Sequence, residues 1–157
     1  MTRRIAFEKV APEGAQRIVE LERYVRSSGL EPSLLELVRL AASYRNGCAY
    51  CVDMHTKDAR ERGESEQRLY AIPVWRETPF FSERERAALA WAEAVTDLGP
   101  TGVPEALYAD TLETFGEEDL VSLTLAVVAI NCWNRLSVAL GADVGSYEPG
   151  QLAHAKP

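Results

Sequence analysis

The sequence predicts an all-α fold, and three observations carry that prediction. Apolar residues recur at steps of three and four along most of the chain. Residues that start and stop helices stand at the ends of those periodic stretches. Strand signals are weak, with no Asn-Gly hairpin between alternating apolar runs and no glycine-rich phosphate loop.

The elements follow in order. Ile18, Leu21 and Val25 space a helix within residues 11–29, closed by Gly29. Pro32 opens a second, whose Leu34, Leu37, Val38 and Ala41 form an i, i+3, i+4, i+7 stripe, and Asn46-Gly47 interrupts it. A third starts near Cys48 and runs to about Arg62, with Gly63 as its stop, and "SEQRLYAI" adds a short helix. Pro73 to Phe81 holds two prolines and no period, which makes it the best internal boundary. Ser82 and Glu85 have capping-box spacing ahead of Ala88, Leu89, Ala92 and Val95. Pro104 and Gly116 bracket the next helix. The last, over 117–141, is the longest and most apolar, with an acidic start that suits the helix dipole and Gly141 as its C-cap. Residues 1–157 read as a single domain: a helical half over 1–72, a second half over 81–145, and a tail over 146–157.

The chain has 157 residues, 46% hydrophobic and 26% charged, an ordinary globular balance. Its formal charge is −7, and the basic residues lie among acidic ones, as in "ARERGESEQR". Proteins that neutralise phosphates need clustered Lys and Arg, so neither nucleic acid nor a membrane surface is an expected partner. No apolar h-region follows the two N-terminal arginines, and Leu120 to Ile130 is too short to span a bilayer. The expected compartment is the cytoplasm, where a close cysteine pair is catalytic or metal-binding more often than structural. The last helix is apolar nearly all round and needs cover on every side, so a homo-oligomer is expected.

"NGCAYCVDMH", Asn46 to His55, holds two of the three cysteines and one of the two histidines. On one helix Cys48, Cys51 and His55 share a face, and His55 lies one turn beyond Cys51 as a proton acceptor. A first-turn Cys48 would feel the dipole that favours a thiolate. Three uses fit: a thiol redox couple with a nucleophile, a base and a resolving thiol; a zinc site with Cys132 or His154 as fourth ligand; or a cluster of buried thiols. A thioredoxin domain is disfavoured, since its C-x-x-C follows a strand.

Glu36 breaks an apolar run. It either caps a helix with Ser33, whose spacing is that of a capping box, or faces the thiols across the Asn46-Gly47 turn and relays protons to His55. Cys132 reads as packing. Asn131, Asn134 and Arg135 need partners inside a buried helix. Trp75, Trp91 and Trp133 read as core or interface aromatics, Asp53 and Lys57 as a surface pair, and His154 as a solvated tail residue.

The segment Glu36 to Arg60 resembles the core motif of the AhpD-like alkylhydroperoxidases of the carboxymuconolactone decarboxylase superfamily. That motif has a glutamate twelve residues before the first Cys, then C-x-x-C, then His four residues after the second Cys; Glu36, Cys48, Cys51 and His55 match every position. "FSERERAALAWAEAVT" resembles the helix that follows, and the likeness covers roughly residues 30–141. The resemblance implies an all-α fold assembling as trimers or hexamers, and reduction of hydrogen peroxide or an organic hydroperoxide at the expense of a dithiol reductant protein. It implies no cofactor and no metal. By position Cys51 is the peroxidatic cysteine, Cys48 its resolving disulfide partner, His55 the proton acceptor, and Glu36 the group that completes the relay. The best-studied branch has a second histidine between the cysteines where this chain has Tyr50, a poor base at neutral pH. The decarboxylase branch acts on a lactone acid without relying on the cysteine pair, so the complete pair points to the redox branch.

Overall fold

A computed structural model describes residues 3–151. The described residues form helices joined by turns, with no strand among them. In order these are α1 (Phe7–Val10), α2 (Pro12–Arg26), α3 (Pro32–Arg45), α4 (Ala49–Glu61), α5 (Glu66–Ala71), a 3₁₀ segment (Ile72–Glu77), α6 (Glu83–Thr96) and α7 (Glu105–Leu140). Pro12 and Pro32 stand in the first turns of α2 and α3, where a missing N–H costs nothing. The Ser82 capping box opens α6 with both reciprocal bonds made.

α3 is the central element, with every residue from Leu34 to Ser43 buried. It packs on α4, α6 and α7, and Leu35, Leu37 and Leu40 join Leu69, Ile72, Leu89 and Leu123 in one core. This burial brings three polar side chains inside on the same helix, Glu36, Arg39 and Ser43. Each then requires a partner, because an unpaired buried polar group costs roughly 1–3 kcal/mol.

Several expectations change. Glu31, not Ser33, is the N-cap of α3, and no side chain caps that helix, so Glu36 is free for other contacts. The Pro73–Phe81 stretch does not separate two halves: Trp75 and Phe81 are buried in the shared core. α1 had no sequence signal; its Phe7 ring rests 6.0 Å from that of Trp133. The two C-terminal helices meet at Gly116, whose φ of 73° and ψ of 172° break the helical path. By length and composition α7 is long enough to cross a membrane, contrary to the reading of Leu120–Ile130 alone. Its Leu123, Ala126, Val127 and Ile130 are nevertheless fully buried within the chain, as in a core helix. Within this single chain Val121, Val128 and Val138 of α7 stay exposed.

Candidate active site

The cysteines are placed by the turn that joins α3 to α4. α3 ends at Arg45 with Asn46 as its C-cap, and Gly47 takes a φ of 64°, a left-handed conformation that favours glycine. The Cys48 N–H then returns to the Ser43 carbonyl at 3.0 Å. The Asn46 amide donates to Asn131 Oδ1 and to Asn134 Oδ1, both at 2.8 Å. Asn134 donates onward to Ser43 Oγ at 3.0 Å, and Asn131 to Thr96 Oγ1 at 3.0 Å. α3, α6 and α7 are thereby tied together two residues before the first thiol.

Cys48 is the N-cap of α4 rather than a member of its first turn, and its sulfur accepts the Cys51 N–H at 3.3 Å. The two sulfurs lie at disulfide distance, with Cα atoms 5.4 Å apart. Both cysteines are 1% exposed, packed with Ala42 and Ile130 and flanked by Tyr50 and Trp133.

His55 and Glu36 meet on the buried faces of α4 and α3, with Nδ1 2.7 Å from Oε2. The other carboxylate oxygen accepts from Arg39 Nη1 at 3.0 Å and from Arg62 Nη1 at 2.6 Å. Arg39 is buried and also donates to Glu22 Oε2 at 2.9 Å. Burial pushes the Glu36 carboxyl up, but the hydrogen bond and charge of His55, with Arg39 and Arg62, outweigh it and hold the group at about 2. An ionised Glu36 can only accept, so Nδ1 of His55 carries a proton, and in the neutral ring Nε2 is the free acceptor.

Asp58 lies beside this pair: ligand atoms of Glu36, His55 and Asp58 all fall within 4.8 Å of one another. They are already engaged, Glu36 by two guanidinium groups and His55, and Asp58 by the Tyr147 hydroxyl, which donates to Oδ1 at 2.8 Å. Burial pushes the Tyr147 phenol well above its usual range, and the bond to Asp58 adds to this. The segment that carries Tyr147 is strapped to α4. Lys57 donates to the Tyr147 carbonyl at 2.9 Å, and Asp53 accepts the Gly145 N–H at 3.2 Å. Asp53 and Lys57 do pair, at 3.1 Å, but as part of that strap.

Two cavities border the site. One, about 150 Å³, reaches Glu36 and Arg62. The other, about 140 Å³, reaches Cys48 and Tyr50 beneath Val138, Ala142 and Val144. Burial pushes the Tyr50 phenol above its ordinary value.

The chain thus brings Glu36 to His55, and Cys48 to Cys51. Cys132 is a free, half-buried thiol, and His154 lies outside the described residues. Trp75 and Trp91 are buried, with indole N–H groups bonded to Glu93 and Thr124. Sequence reasoning missed Arg39, Arg62, Asp58 and Tyr147. Arg39 carried a signal, a charge three residues from Glu36 in the same apolar run. Arg62 and Tyr147 carried none, since only folding brings them to α3 and α4.

The carboxymuconolactone decarboxylase family model matches residues 12–94. The chain is 41% identical to the uncharacterised protein YdfG of Bacillus subtilis over 146 residues, covering 93% of this chain and 99% of that one. Over 47 residues it is 47% identical to the alkyl hydroperoxide reductase AhpD of Acidobacterium capsulatum, 30% of this chain and 26% of that one. A crystal structure from Agrobacterium tumefaciens, of a protein of unknown function described as an AhpD antioxidant defence candidate, superposes with a TM-score of 0.85. It is 43% identical and covers 94% of this chain and 99% of its own. An all-helical, AhpD-like fold with a paired C-x-x-C defines the class. The chain belongs to the carboxymuconolactone decarboxylase family.

Proposed function

We propose that the protein is a thiol-dependent peroxidase of the alkylhydroperoxidase type. The observation that carries this reading is the buried Glu36–His55 pair one helical turn from a cysteine pair at disulfide distance. His55 takes the Cys51 proton at Nε2. The Cys51 thiolate attacks the outer oxygen of the peroxide, the O–O bond breaks, and the departing alkoxide or hydroxide takes the proton back from His55. Cys51 is now a sulfenic acid. Cys48 attacks its sulfur, water leaves, and the disulfide closes. A dithiol reductant protein returns two electrons. Glu36 stays an anion and completes the relay by orienting and polarising His55. The working form is a homo-oligomer, a trimer or hexamer, and the cytoplasm its compartment.

The test is peroxide consumption with a dithiol reductant. Wild-type protein turns over and Cys51→Ser does not; equal rates refute the reading. Zinc at one equivalent that survives dialysis would instead favour a metal-binding role for the thiols. Turnover of a small organic acid by the double Cys→Ser variant would favour decarboxylase-like chemistry.

A further inference from the structure

Each cysteine is 1% exposed, so a reductant needs a route to the disulfide. Thiol–disulfide exchange also requires a choice of sulfur: attack on one expels the other as thiolate. The two sulfurs are not equivalent here. Cys48, at the N-cap of α4, lines the cavity of about 140 Å³, and Cys51 does not. One wall of that cavity is α7, through Ser137 and Val138, and the other is the segment carrying Ala142 and Val144. Lys57, Asp53 and Asp58 hold the continuation of that segment down on α4. On the far side, Cys51 is followed one turn later by His55.

We infer that the reducing thiol enters between α7 and the Ala142–Tyr147 strap and attacks the sulfur of Cys48, so that Cys51 leaves as the thiolate. This rests on the redox reading proposed above. In the first step the incoming thiolate bonds to Cys48 Sγ, the Cys48–Cys51 bond breaks, and Cys51 keeps the electron pair beside His55. In the second, another thiol attacks the sulfur of the bound reductant and expels Cys48 as thiolate. The reductant leaves oxidised to its disulfide, and two cysteine thiolates are regenerated. The cysteine that peroxide oxidises is then also the one released first, while Cys48 serves as the exchange face. The walls at Val138, Ala142 and Val144 are apolar, so the arriving thiol is one that tolerates an apolar passage.

The experiment needs no peroxide. Protein oxidised with diamide is mixed briefly with 2-mercaptoethanol and acid-quenched, which stops exchange by protonating thiolates. Free thiols are then labelled with N-ethylmaleimide, and the Asn46–His55 region is sequenced by tandem mass spectrometry. The expected species carries mercaptoethanol on Cys48 and maleimide on Cys51. The reverse pattern overturns this inference and leaves the peroxidase reading standing; failure of diamide to form the disulfide overturns both. Val138→Trp, at a position 43% exposed on α7, places an indole at the cavity mouth and should slow adduct formation by about tenfold or more. An unchanged rate in that variant also overturns the inference.

Discussion

Glu36 shows how a single buried residue can be both a stability element and a site element. It is 2% exposed and still ionised, because His55, Arg39 and Arg62 together supply what water would. Its carboxyl is depressed from 4.5 to about 2. Stability from this group is therefore fully present above pH 4.5 and is lost as the pH falls toward 2, on the order of 3 kcal/mol in total. Urea denaturation at stepped pH should show this loss in the wild type and lack it in Glu36→Gln. At neutral pH that variant leaves Arg39 with Glu22 alone and should be less stable by about 3–5 kcal/mol. With the orienting anion removed from His55, peroxidase turnover of the folded variant should fall roughly a hundredfold. Unchanged turnover would mean that the pair is structural only.

At the scale of the element, helix ends do the positioning. The Asn46-Gly47 break was legible as a break, but its partners were not, because Asn131 and Asn134 lie far along the chain. Asn134→Ala removes one acceptor of Asn46 and the donor to Ser43. We expect it to cost about 1–3 kcal/mol in chemical denaturation, and to slow closure of the Cys48–Cys51 disulfide by diamide as the turn loosens. The same closure rate as wild type would show that the network does not position Cys48. Gly116 supports a second prediction. Its φ of 73° and ψ of 172° lie where a Cβ is strained, although nothing crowds the position. Gly116→Ala should lower stability by about 1–3 kcal/mol. The sequence already marked Gly116 as a helix end; the positive φ behind that mark is visible only in the fold.

For the whole molecule, the open question is what covers α7. Its inner side is buried against α3 and α6, while Val121 and Val128, seven residues apart on one face, are 57% and 41% exposed. Exposed apolar side chains along one long helix fit an interface between copies. Val121→Glu combined with Val128→Glu should shift the protein toward monomer in light scattering, with the helical circular dichroism retained. An assembly unchanged by both substitutions would place the interface elsewhere.

Apolar periodicity and end signals determined the all-α class and most helix ends from sequence alone, because both are local properties of the chain. The offsets of Cys48, Cys51 and His55 likewise put three side chains of the candidate site on one helical face, while Glu36 joined them only through the family resemblance. Only the tertiary structure decided that Glu36 bonds His55 rather than capping α3, that Arg39 and Arg62 hold it charged, and that Asp58 and Tyr147 close the far side. It also decided that Cys48, rather than Cys51, borders a cavity. These are contacts between elements distant in sequence, set by which faces of α3, α4 and α7 are buried together, and no local pattern of residues encodes them.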